Sequence, residues 1–217
     1  AFYNCGNNTK LIRNIKIKKA GDIAAEAFYR LNGAGGTLTV TECGNIATDA
    51  FRNAKLSGSA SIQKCGDIAA NAFRSANVNG NGVTALEIGI CGSIGEDAFA
   101  GLSSLETAKI DSITGEIKDL FSSLKKLTSV EIGSCEDIPQ NAFAYCEALK
   151  VITISKCANI GSNAFRSCKS VEELSIVECA DISSNAFLGM TALRSVKIDT
   201  CGKIGSSAFS SMMSSTG

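Results

Sequence analysis

The sequence predicts a mixed α/β solenoid of about nine coils of 22 residues. A parallel strand ladder is expected along one side, and short helices or 3₁₀ turns along the other. Three observations carry that prediction. Nine of the ten Phe recur as Phe28, Phe51, Phe73, Phe99, Phe121, Phe143, Phe165, Phe187 and Phe209, at spacings of 23, 22, 26 and then 22 throughout. An apolar pair lies 13 and 11 residues before each of them, from Ile15/Ile17 to Val196/Ile198. Cys stands eight residues before Phe in most units: Cys43, Cys65, Cys91, Cys135, Cys157, Cys179 and Cys201, with Ala20 and Ile113 as the exceptions. Columns that repeat with a period in the twenties are the mark of a solenoid, in which stacked coils bury a continuous core.

Each part of the unit has its own logic. The Val130/Ile132 alternation reads as a half-buried strand, with Glu131 between them facing solvent. A turn follows at Cys135, and then the Ile column of Ile23, Ile46, Ile68, Ile94, Ile138, Ile160, Ile182 and Ile204. Asn141, matched by Asp49, Asn71, Asp97, Asp119, Asn163, Asn185 and Ser207, reads as the N-cap of a short helix that carries Phe143. Cys146, three residues on, would share the helical face with Phe143, as Leu31, Leu102, Leu124, Cys168, Met190 and Met212 do in other units.

Composition narrows the function. The 217 residues carry 21 Lys+Arg and 21 Asp+Glu, so no net field draws nucleic acid or a membrane surface. No apolar run reaches the ~18 residues of a membrane helix, and no signal-peptide pattern opens the chain. His and Trp are absent, which removes His-based acid–base catalysis and His-containing zinc sites. The Cys spacing follows the repeat and no C-x-x-C pair occurs, so the Cys column reads as buried, reduced thiols. Cys146, Cys168 and Cys5 read the same way. We expect no enzyme activity, no cofactor and no metal. Asp97 and Asp119, neighbours in the cap column, read as caps before they read as Ca²⁺ ligands.

Two stretches carry a family resemblance. Leu127-Thr-Ser-Val-Glu-Ile-Gly-Ser-Cys135 and Leu193-Arg-Ser-Val-Lys-Ile-Asp-Thr-Cys201 fit the L-x-x-L-x-L-x-x-[N/C] pattern of leucine-rich repeats. Ile94-Gly-Glu-Asp-Ala-Phe99 and Ile160-Gly-Ser-Asn-Ala-Phe165, continued by Ala164-Phe-Arg-Ser-Cys168, resemble the BspA-like class of that repeat. The resemblance covers essentially residues 1–217. It implies a leucine-rich-repeat solenoid acting in protein interaction or adhesion at a cell surface. The Cys after the strand, where the class usually carries Pro and a Ser-Val pair, is closer to the cysteine-containing repeats of intracellular adaptors. A filament or coat protein is the other reading.

The surface assigned to binding is the strand side. Its candidate residues are Lys16 and Lys18, Thr39 and Thr41, Gln63, Glu87, Lys109 and Asp111, Glu131, Thr153 and Ser155, Ser175, and Lys197 and Asp199. They are small, polar and of mixed sign, without aromatic or Arg anchors, which points to a broad contact with a protein or glycan. Lys10, Arg13, Lys16, Lys18 and Lys19 cluster around the first strand, as partners for an acidic ligand or as the solvated half of an alternation. The longer loops at 32–36 and 77–80 are alternative contacts. Asn7-Asn8-Thr9 is a glycosylation sequon if the chain is secreted. Neither end carries an evident polar cap, so an array extending beyond residues 1–217, or end-to-end self-association, is expected.

Overall fold

The computed structural model describes residues 13–31, 36–78 and 81–212. Cys5, Asn7, Lys10, residues 32–35, 79–80 and 213–217 lie outside the described residues, and with them the sequon and parts of both longer loops. The strands are β1 (Asn14–Lys19), β2 (Gly36–Glu42), β3 (Leu56–Lys64), β4 (Asn77–Val78), β5 (Asn81–Cys91), β6 (Thr107–Ile113), β7 (Ser129–Ser134), β8 (Asp137–Ile138), β9 (Val151–Ile160), β10 (Glu173–Ile182) and β11 (Ser195–Ile204). All eleven belong to one sheet, in the order β1-β2-β3-β5-β6-β7-β9-β10-β11, with β4 paired to β5 and β8 to β9. The chain therefore winds through about eight complete turns of a parallel β-solenoid. Register follows the sequence columns: Ile17 lies beside Val40, Ile88 beside Ile110, Ile132 beside Ile154 and Ile176 beside Ile198. Within the inserted loop, Asn77 and Val78 of β4 pair antiparallel with Gly82 and Asn81 at the start of β5.

The core is the set of columns. Phe51, Phe73, Phe99, Phe121, Phe143, Phe165 and Phe187 are among the largest fully buried side chains, and the Ile columns between Ile23 and Ile182 and all the column Cys but Cys201 are buried beside them. Rings of successive coils lie 4.7–5.8 Å apart, from Phe28 on Phe51 to Phe187 on Phe209. A 22-residue coil cannot bury its own apolar edge, and this stack is how the edge is covered.

The far side of each coil corrects the sequence expectation, for the described residues there form turns and no helix. Asp49, Asn71, Asp97, Asn141, Asn163, Asn185 and Ser207 are not helix caps; each has φ between 56° and 61°. A second left-handed residue follows four positions later, among them Asn53, Ser75, Tyr145 and Ser167, with Gly101 and Gly189 in the same column. Asn and Asp occupy the left-handed region more readily than other L residues, which accounts for their recurrence. In the second coil the amides of Ala50, Arg52 and Ala54 close turns onto Ala47, Asp49 and Phe51. The alternate amides of Asp49, Phe51 and Asn53 donate to the carbonyls of Ala70, Ala72 and Arg74 in the next coil. A helix would spend all of those amides within its own coil. Alternating left-handed residues turn every second one toward the neighbour, so the stack has a hydrogen-bonded rail on each side.

Two further features were hidden in the sequence. The Asp/Asn residues one position before the Ile column cap the stack internally: the amides of Asn45, Asp67 and Ser93 donate to Oδ1 of Asp22, Asn45 and Asp67 at 2.7, 2.8 and 2.7 Å. A Cβ at Gly44, Gly66 or Gly92 would sit 2.2 Å from the same oxygens, so Gly precedes the donating amide. In the fifth coil, Ile117 occupies the Ile column four residues before Phe121, where the other units have five. One residue is gained upstream and one lost downstream, and the Phe spacing stays at 22. The rings of Phe99 and Phe143 consequently stand 36° and 49° from that of Phe121. No main-chain bond from Asp97 or Phe99 reaches the fifth coil, and Asp119 instead accepts from the Leu120 amide at 2.7 Å.

Close approach of neighbouring coils gives a first testable outcome. A Cβ at Gly133 would stand 2.2 Å from the carbonyl oxygen of Asp111, a backbone atom that cannot swing aside, whereas a Cβ at Gly21 would meet nothing within 4 Å. Gly133→Ala should destabilise the fold by about 2–3 kcal/mol, in the range of overpacked cores. Gly21→Ala should be near neutral. Urea denaturation of both variants checks this, and matching midpoints would refute it.

Candidate functional site

The site residues sit where the pleat puts them. Within each strand the apolar pair points into the stack, and the residues between and after it point out. Lys16, Lys18, Thr41, Gln63, Glu87, Lys109, Asp111, Glu131, Ser155, Lys197 and Asp199 are exposed, and Thr39, Thr153 and Ser175 half-buried, all on the solvent side of the ladder. They do not converge on one centre. They form rows along the solenoid, and the sheet gathers only Gln63, Glu87, Lys109 and Asp111 around a common hollow of about 480 Å³.

The hollow has a simple origin. Gly89 places no side chain in a row otherwise filled by Gln63 and Asp111 on either side, and its absent Cβ would stand 2.1 Å from the Gln63 carbonyl oxygen. Next to it Ile90 is 48% exposed. Its counterparts one coil away are Lys64 and Ser112. Ile90 is the apolar anchor that reading alternate positions missed. The pairing passes from Ile88–Ile110 directly to Ile90–Ser112, so the chain bends at Gly89 and two successive residues face out.

Ion pairs tie most strand-side charges to one another. Lys19 and Lys64 share Glu42 at 3.1 and 3.6 Å, and these cations hold its carboxyl below the usual carboxylate range. Lys109 reaches Glu131 at 3.0 Å and Asp111 at 3.7 Å; the hydrogen bond to Glu131 is the larger influence raising its pKa. Lys156 pairs with Glu178 at 2.8 Å and Lys197 with Asp199 at 3.2 Å. Exposed pairs of this kind add little stability, at most about 1 kcal/mol each. Their effect is to neutralise the face locally. Glu87 lies beside Lys109 in the register, yet Lys109 turns toward the fifth and sixth coils, and no ion pair among the described residues holds Glu87.

The thiols lie on the other side of the strands. Cys43, Cys65, Cys91, Cys135, Cys157 and Cys179 are free and buried, and Cys201 is partly exposed. Burial pushes the Cys91, Cys135 and Cys157 thiols up to about 12. Cys146 and Cys168, expected only to fill a Leu place, also donate Sγ–H to the carbonyls of Phe121 at 3.0 Å and Phe143 at 3.2 Å. Groups with so little thiolate are poor nucleophiles and poor metal ligands. Among the described residues no group of three or more Cys, Asp and Glu is placed to hold a metal ion, and no helix is long and apolar enough to cross a membrane. The last described coil leaves Val196 and Ile204 46% and 52% exposed, where their neighbours Leu174 and Ile182 are buried.

A parallel solenoid with an Ile/Phe core and a polar strand face is the architecture of a leucine-rich repeat. The family model for the BspA type leucine rich repeat region matches residues 1–79 and 92–216, with six copies. The chain belongs to the BspA-type leucine-rich-repeat family. That family is one of repeat-based protein-interaction or surface modules. No curated protein and no solved structure matches the chain.

Proposed function

We propose that the chain is a non-enzymatic adhesion or protein-interaction module of a cell surface, and that the strand side is its contact face. The observation that carries this reading is the hollow at Gly89, where Ile90 stands exposed among polar rows and Glu87 has no ion-pair partner among the described residues. The turn side supports contact less well, because its alternate amides are spent on the neighbouring coil and Arg52 and Arg74 are tied to Asp49 and Asp97. The partner is a protein or glycan that lies across several coils.

Two matched surface blocks test the assignment. Thr41→Arg, Ser155→Arg and Val177→Arg together add three cations to the strand side; Ser103→Arg, Ser122→Arg and Gln140→Arg add three elsewhere, the last two on the turn side. Binding of each folded variant to immobilised matrix proteins and to neutral and sulfated glycans is compared with the parent chain. Only the first set should lose binding, by about tenfold or more per disrupted contact cluster. Equal losses in both sets, or none in the first, would overturn the strand-side assignment.

A further inference from the structure

Resting on that reading, we propose that the hollow between β3, β5 and β6 is a socket for one basic side chain, Arg or Lys, of a protein partner. Its volume of about 480 Å³ is in the range of small-ligand sites. The floor is apolar where Ile90 is exposed beside the bare backbone of Gly89. The rim is polar: Gln63 and Ser61 on one strand, Glu87 on the next, Lys109 and Asp111 on the third.

Charge selects the occupant. Lys64 is bound to Glu42 and Lys109 to Glu131 and Asp111, so neither cation is available to an acidic guest. Among the described strand-side charges of β3, β5 and β6, Glu87 alone has no ion pair, and Asp111 has only its 3.7 Å contact with Lys109. A guest that lays an aliphatic stem on Ile90 and brings a cation to Glu87 satisfies both features at once. Arg and Lys combine such a stem with such a head. A purely aliphatic guest would leave Glu87 unpaired, and an acidic one would face it.

The probe is Nα-acetyl-arginine amide, titrated into the uniformly ¹⁵N-labelled full chain with amide shifts as the readout. Saturable shifts are expected at Glu87, Gly89, Ile90 and Lys109, with a dissociation constant on the order of millimolar for a single side chain. Glu87→Gln and Ile90→Ser, both at exposed positions, should each weaken it by about tenfold without unfolding the chain. Acetyl-norleucine amide should bind more weakly than the Arg probe, and acetyl-glutamate amide should leave these amides unmoved. Glu172→Gln, remote from the hollow, should change nothing. Shifts scattered over acidic residues around the molecule, or unaltered affinity in Glu87→Gln, would overturn the socket. Either result would leave the strand-side reading intact, because the Arg-block variants test that face at Thr41, Ser155 and Val177, away from the hollow.

Discussion

Phe143→Ala should lower stability by about 3–5 kcal/mol, the cost of removing a fully enclosed aromatic ring from a core that cannot collapse around the void. The Phe143 side chain is wholly buried. Its ring lies on Phe165 with centroids 4.7 Å apart and planes 2° from parallel, and it meets the tilted Phe121 at 5.8 Å. The surrounding backbone is pinned, since the Phe143 amide donates to Ala164 and its carbonyl accepts from the Cys168 thiol. A pinned backbone cannot relax into the cavity, which places the cost toward the upper end. Phe209→Ala, at a half-buried end position, should cost about 1–2 kcal/mol, nearer the transfer term alone. Guanidinium denaturation of the two variants measures the difference, and equal losses would refute a ring fully enclosed at Phe143 and only partly enclosed at Phe209.

Alkaline pH should unfold the chain by titrating its thiols. In the unfolded chain they ionise near their ordinary value of 9.0; folded, burial pushes Cys91, Cys135 and Cys157 up to about 12. A pKa raised by folding gives stability that is fully present below the unfolded value and is lost as pH climbs toward the folded one. The window therefore runs from about 9 to about 12. Each such thiol removes on the order of 1.4 kcal/mol per pH unit inside it. Several act together, for Cys65, Cys168 and Cys179 are raised by burial too, so the combined loss by pH 10 amounts to several kcal/mol. Denaturation at pH 8 and pH 10 reads the slope, and Cys91→Ala should flatten it by one thiol's share. A pH-independent midpoint across that interval would show that the column is not protonated and buried.

The parts of this fold that were legible in the sequence are those set by side-chain burial. A rare residue such as Phe cannot recur at a fixed interval without a fixed place to go, and the Ile and Cys columns followed from it. The turn side was misread because Asn, Asp and Ser serve two purposes. They cap helices, and they also enter the left-handed region, and one column cannot separate the two. A second column could have done so: Asn53, Ser75, Gly101, Ser167 and Gly189, all four residues further on, are poor choices for a helix interior and good ones for positive φ. The fault at the fifth coil was concealed by offsetting changes on either side of Ile117. Ile90 went unnoticed because period-two reasoning stops at the bend after each apolar pair; the signal that marks its place as outward is the polar column it interrupts, Lys64 and Ser112 on either side and Ser134, Lys156 and Glu178 beyond.

The double rail has a consequence for how such a molecule changes size. Apart from the junction of the fourth and fifth coils, each coil is joined to the next by the same bonds on both flanks and by one more ring in the aromatic stack, so a duplicated 22-residue segment from a regular stretch brings its own attachments with it. Each duplication lengthens the rod by about one inter-strand spacing, roughly 4.8 Å, and adds a further row of outward residues. Reach and footprint thus become heritable variables adjustable in whole steps, without renegotiating any contact already made.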